Sequence, residues 1–255
     1  MTTSLFSLTD RVALVTGSTS GLGKEMARGL STAGARVIIN GRSEDHLHQV
    51  QKEFEDFGLD ISTSCFSVED TKSARQAVTA IIEKHGAIDI LINNVGNRNR
   101  KAIQDFGDDA AQQLLDTNLV APFELSRIVA PSMINQSWGR IINISSVAAQ
   151  IANRGDALYS ASKGGLESLT RAMAAEFGHA GITVNAISPG FFATEPNQSL
   201  IDNPEIDDWL KTRTSLGRWA DPQEISGAAV FLASDAASYI TGHILVVDGG
   251  MSGYM

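Results

Sequence analysis

Apolar and β-branched residues fall in short runs, separated by longer stretches in which they recur every three or four positions. The short runs are Val12–Thr16, Val37–Ile39, Ile61–Phe66, Ile88–Ile92, Ile141–Ile144, Ile182–Ile187 and Ile244–Val247, and they predict seven strands. Several are apolar throughout, as strands covered on both faces must be. The longer stretches predict helices at 22–33, 43–57, 71–85, 109–135, 157–179 and 222–234. The alternation predicts an α/β chain with a parallel sheet and helices on both faces, and right-handed crossovers restrict it to a doubly wound arrangement. No linker, repeat or low-complexity segment divides residues 1–255, so one domain is expected. The stretch 191–221, with Pro196, Pro204 and Gly217, breaks the alternation and is expected to be a mobile substrate-binding insertion.

Composition acts mainly by exclusion. A chain of 255 residues with 43% hydrophobic content can bury a full core. Its net charge of −9, without a dense Lys/Arg block, argues against a nucleic-acid or anionic-membrane surface. Cys65 is the single cysteine, which rules out an internal disulfide and is compatible with a reducing compartment. The first ten residues lack the basic flank and apolar run of a signal peptide, and no segment offers the roughly 20 apolar residues of a membrane span. A soluble, cytoplasmic protein acting on a small molecule is expected.

Candidate chemistry clusters at strand ends. The first strand runs into Thr16-Gly17-x-x-x-Gly21-x-Gly23 at the start of a helix, where glycines admit a ligand to the backbone and the helix presents free N–H groups to a pyrophosphate. The second strand ends in Asn40-Gly41-Arg42, with no carboxylate to meet a ribose 2′-OH. Gly41 removes a repulsion and Arg42 supplies a guanidinium for a 2′-phosphate, which favours NADP(H) over NAD(H). Cys65-Phe66-Ser67-Val68 closes the third strand on the adenine side. Strand four ends in Asn93-Asn94-Val95-Gly96, whose amides suit either backbone satisfaction or a ligand. The following Asn97-Arg98-Asn99-Arg100-Lys101 is either a solvated charge run or an anion site at the sheet's carboxyl edge. Asn118, flanked by Leu119 and Val120 in a predicted helix, needs a buried partner or a bend.

Tyr159 and Lys163 lie four apart in a run of helical periodicity, so a phenol and an ammonium share one helical face. The adjacent charge is expected to lower the phenol pKa and fit Tyr159 for proton exchange near neutral pH. Strand five delivers Ser145 and Ser146 to the same edge.

Taken together, the glycine turn, Asn-Asn-Val-Gly, Asn118, Ser146, Tyr159-x-x-x-Lys163 and Pro189-Gly190 resemble the short-chain dehydrogenases/reductases, over essentially the whole chain to Val247-Asp-Gly-Gly250. The resemblance implies a single-domain Rossmann fold. It implies that Tyr159 is the general acid/base, that Lys163 lowers its pKa and bonds the nicotinamide ribose, and that Ser146 polarises the reacting oxygen. Asn118 would hold a water for a proton relay. Gly17, Ser20, Gly21, Leu22, Gly23, Arg42, Asn94, Gly96, Pro189, Gly190 and Thr194 would join Tyr159 and Lys163 in cofactor binding, and no metal is implied. The thirteen-residue spacing to Tyr159 selects Ser146 over Ser145.

The flanking pieces, among them Leu5-Phe-Ser-Leu8, Gly190-Phe-Phe-Ala-Thr-Glu195 and Gly217-Arg-Trp219, are similar to gluconate 5-dehydrogenases and related sugar-acid or polyol oxidoreductases. This implies interconversion of a secondary alcohol and a ketone, with 3-oxoacyl-thioester reduction as the runner-up and a non-catalytic cofactor-binding regulator as the remote alternative. Ser67 stands where an Asp usually bonds the adenine, Val95 replaces an Ala, and Asn153-Arg-Gly-Asp-Ala157 is an unusually polar loop. Arg100 and Arg154 are candidates, with Ser146, for holding an anionic substrate. A homotetramer is expected by the same resemblance, and by the apolar surface of the helices at 109–135 and 157–179.

Overall fold

The computed structural model describes residues 5–253. Its strands are β1 (Val12–Val15), β2 (Arg36–Gly41), β3 (Ile61–Cys65), β4 (Ile90–Asn93), β5 (Gly139–Ile144), β6 (Ile182–Pro189) and β7 (Ile244–Val247). They form one seven-stranded sheet in the order β3-β2-β1-β4-β5-β6-β7, with every neighbouring pair parallel. The order reverses between β1 and β4, so their carboxyl ends open a crevice at the point where this architecture binds ligands.

Two apolar layers follow from the two-residue period of the strands. Ala13, Val15, Val37, Ile39, Ile90 and Ile92 face a core closed by Met26 and Leu30 of α1 (Gly21–Thr32), Leu47 and Phe54 of α2 (Glu44–Asp56) and Leu232 of a C-terminal helix. Leu14, Ile38, Leu91, Ile141 and Val184 face the opposite core. There they meet Val78 of α3 (Thr71–His85), Leu125 and Val129 of the long central helix, and Met173 of the helix carrying Tyr159. Burial of each such side chain contributes about 1.5–3 kcal/mol, which explains why these strands read as continuous apolar runs. Asp70 caps α3 by accepting from the Lys72 and Ser73 N–H groups at 3.0 and 3.1 Å.

Four predicted stretches differ in detail. The helix expected at 109–135 is α4 (Ala110–Leu115) and α5 (Ala121–Gln136) joined by one π-helical turn, Asp116–Val120. The Tyr159 helix is α6 (Ala157–Phe177). The stretch 191–221 contains α7 (Gln198–Ile201) and α8 (Pro204–Arg213), and a β-bridge between Phe192 and Ala220 closes its base. Phe191 packs edge-on against Trp209 and Trp219, with ring centroids 5.4 Å apart in both pairs. The last predicted helix begins as a 3-10 turn, Pro222–Ile225, and continues as α9 (Ser226–Ala233).

Candidate active site

A cleft of about 670 Å³ runs from the β1–α1 turn to the N-terminal half of α6. At one end, Gly17 and Gly21 take φ values of +58° and +54°, which a side chain rarely adopts. A Cβ on Gly23 would lie 2.4 Å from the Gly17 carbonyl oxygen and 2.5 Å from Asn94 Nδ2, so only glycine lets α1 start this close to the turn. Ser20, at the N-cap of α1, makes no side-chain cap bond. The N–H groups of the first turn are therefore not met by their own cap, as suits an anion site.

The turn is held from beneath by Thr16, Asn94 and Asn40. Thr16 Oγ1 accepts the Asn94 N–H at 2.9 Å, and Asn94 Nδ2 donates to the Thr16 and Gly17 carbonyls at 3.0 and 2.9 Å. Asn40 is buried, accepts the Gly17 N–H at 3.2 Å and donates to the Ser64 and Phe66 carbonyls. Asn93 is also structural: its amide donates to Asn143 at 2.9 Å and Ser126 at 3.2 Å. Gly41 has a reason beyond charge, since a Cβ there would come within 2.9 Å of Thr19 Cγ2. Arg42 follows it, exposed at the cleft wall, with Phe66, Ser67, Val68 and Glu69 nearby. Glu69 accepts a hydrogen bond from Thr117 Oγ1.

At the other end, β5 and α6 bring Ser146, Tyr159 and Lys163 together. Lys163 is 3% exposed, and Nζ donates to the Ile144 carbonyl at 2.8 Å. Burial lowers its pKa from 10.5 to about 8. Burial also raises the Tyr159 phenol, against a hydrogen bond from Ser146 and the positive charge of Arg98, while Asp156 adds to the rise. The net direction is upward, which differs from the expectation that Lys163 lowers it. The amine lies 5.9 Å from the Tyr159 ring centroid, and the cation acting on the phenol is Arg98.

Asn118 has both the bend and the partners its position demands. It sits in the π-helical turn, fully buried, beneath the cleft. Its Oδ1 accepts the Asn97 N–H at 2.8 Å, and Nδ2 donates to the Asn97 carbonyl at 2.9 Å and Ser162 Oγ at 3.0 Å. Its side chain thus ties the loop after β4 to α6. Ser145 does not line up with Ser146 in role: its hydroxyl donates to buried Glu167 at 2.9 Å.

The predicted cofactor residues Gly17, Ser20, Gly21, Leu22, Gly23, Arg42, Asn94, Gly96, Pro189, Gly190 and Thr194 line the cleft with Ser146, Tyr159 and Lys163. Arg100 and Arg154 do not. Arg100 folds back on Asp156, bonded through Nε and Nη2 at 3.2 and 3.0 Å, and Arg154 is exposed on its loop. Arg98 lines the cleft instead, and it too pairs with Asp156. Asp156 was legible only as part of a polar loop. Its position one residue before a helix signals an N-cap, not a partner for two distant arginines.

The chain is similar to known proteins over its whole length. Residues 17–252 match a family model described as enoyl-(acyl carrier protein) reductase. The chain is 43% identical to the gluconate 5-dehydrogenase of Gluconobacter oxydans, over 97% of each chain. It is 36% identical to the 5-keto-D-gluconate 5-reductase of Escherichia coli K12, again over 97% of each. The crystal structure of a gluconate 5-dehydrogenase from Burkholderia cenocepacia, in complex with NADP and tartrate, superposes with a TM-score of 0.95 at 39% identity over 100% of each chain. A glycine turn at the β1–β4 switch point, a Ser146/Tyr159/Lys163 cleft and whole-length relatives lead to one assignment: the chain belongs to the short-chain dehydrogenase/reductase family.

Proposed function

We propose that this protein is an NADP(H)-dependent oxidoreductase that interconverts a secondary alcohol and a ketone in a sugar acid, with gluconate and 5-ketogluconate as the substrate pair. The observation that carries the reading is the convergence of Ser146, Tyr159 and Lys163 on the cleft that begins at the glycine turn. The relatives named above support the sugar acid and the cofactor.

The cleft fits the dinucleotide. The close approach at Gly23 and the first turn of α1 suit a pyrophosphate, and Arg42, with no carboxylate beside it on β2, suits a 2′-phosphate. When bound, the dinucleotide would supply or accept the hydride through its nicotinamide. The Ser146 and Tyr159 hydroxyls are hydrogen-bonded to each other, so a substrate oxygen that meets both would be oriented by Ser146 and exchange its proton with Tyr159 Oη. Lys163, held at the cleft floor by the Ile144 carbonyl, would bond the nicotinamide ribose. Asn118 keeps Asn97 and α6 in register around this point. The segment 191–221 contributes Thr194 and Asn197 to the cleft and is read as the insertion that covers the substrate.

No helix among the described residues is long and apolar enough to cross a membrane. We read the protein as a cytoplasmic homotetramer. Val120, at the end of the π-helical turn, and Phe123, at the start of α5, are each 43% exposed and support a helix-to-helix subunit contact.

Purified protein should oxidise NADPH with 5-ketogluconate, and Tyr159→Phe should abolish turnover. Turnover no higher than that variant's would leave a non-catalytic cofactor binder. Faster turnover of a 3-oxoacyl thioester would move the substrate class to acyl chains.

A further inference from the structure

Asp156 is completely buried, yet its carboxylate makes no cap bond to its own helix. An N-cap Asp ordinarily accepts from the first helical N–H groups, at a gain of about 1 kcal/mol. Here the acceptor capacity goes to two guanidinium groups. Arg98 donates through Nε at 3.0 Å and through Nη2, and Arg100 donates through Nε at 3.2 Å and Nη2 at 3.0 Å. The Lys101 N–H adds a bond to the Gly155 carbonyl at 3.0 Å, so the loop after β4 is zipped to the loop before α6. The outcome is spatially specific: the Arg98 guanidinium carbon lies 5.2 Å from the Tyr159 ring centroid and the side chain lines the cleft.

We propose that Asp156 is a positioning residue for recognition of the substrate's carboxylate, acting by fixing Arg98 at the lip of the cleft. Two-pronged bonding through Nε and Nη2 leaves both Nη1 hydrogens of Arg98 for a second anion. Arg100 completes the device. A lone Arg98–Asp156 pair would be neutral, whereas two arginines on one carboxylate keep a net positive charge beside Tyr159. The inference deepens the sugar-acid reading and rests on it for the identity of the anion.

The test compares 5-ketogluconate with L-sorbose, which carries a hydroxymethyl group in place of the carboxylate. Asp156→Asn should raise KM for 5-ketogluconate at least tenfold more than KM for L-sorbose. Equal changes for both would overturn the proposal. Thermal unfolding and NADPH binding show whether the variant is folded. If it is not, Arg98→Lys and Arg100→Lys, which keep the charge but lose the two-pronged contact, should show the same selective loss, and no selective loss in either would overturn it. If the parent turns over no sugar acid, the proposed function fails by itself. Calorimetry of D-gluconate with the enzyme–NADPH complex then decides the inference: weaker binding by Asp156→Asn upholds it, and equal binding, or none by the parent, overturns it.

Discussion

The guanidinium of Arg98 lies over the ring of Tyr159, with its carbon 5.2 Å from the centroid. Of the charges that act on the phenol, it is the one that favours ionisation. Removing it with Arg98→Met should move the Tyr159 titration to higher pH. Alcohol oxidation needs the phenolate as base, so kcat/KM for oxidation rises with pH through that titration, and the rise should come at higher pH in the variant. Superimposable pH profiles of parent and variant would remove Arg98 from any influence on the proton transfer.

Lys163 carries a cost in stability. Its drop from 10.5 to about 8 corresponds to a penalty of about 3 kcal/mol for burying the charged amine. The hydrogen bond to Ile144 offsets about 1 kcal/mol of this. Between pH of about 8 and 10.5 the unfolded chain holds the proton that the folded chain has lost, so stability rises with pH across this window. Below about 8 both states are charged and the penalty is full. Lys163→Met should therefore raise the unfolding midpoint at pH 7 while abolishing turnover, and its advantage should shrink above about pH 8. A lower midpoint at pH 7 would contradict this balance.

Arg42 stands at the cleft wall with no carboxylate between it and the end of β2. Arg42→Asp replaces a charge-assisted contact by a repulsion, so KM for NADPH should rise at least tenfold, with preference passing to NADH. Unchanged NADPH use would place the 2′-phosphate elsewhere.

Asn118 supplies the acceptor for the Asn97 N–H. Asn118→Ala strands that donor and the Asn97 carbonyl, and should destabilise the fold by about 1–3 kcal/mol in denaturant titrations, in addition to slowing turnover. Loss of activity at full stability would make Asn118 a purely chemical group.

Strand positions were legible because burial on both faces forces apolar runs, and Ala13 and Leu14 do face opposite cores. The Tyr159/Lys163 pair was legible from helical spacing, and Ser146 joined it through the family resemblance. Asn118 signalled a disturbance in its helix, although not its form. The Asp156 clamp was not readable: its partners lie 58 and 56 positions away, and nothing local distinguishes it from an ordinary cap. The state of Tyr159 was misjudged for a related reason. Spacing brought the amine to within 5.9 Å of the ring, but burial of the phenol outweighs the cations and pushes it the other way.

The π-helical turn at Asp116–Val120 fits one extra residue into an otherwise α-helical path from α4 to α5. Each α-helical residue advances the side-chain direction by about 100°. Deleting Thr117 or Leu119 would allow an unbroken helix, better bonded along its backbone, but α4 and α5 could no longer both keep their present orientation. The amide that now reaches Asn97 and Ser162 would swing off its target, so the irregular turn, less regular than the helix around it, is what aims Asn118.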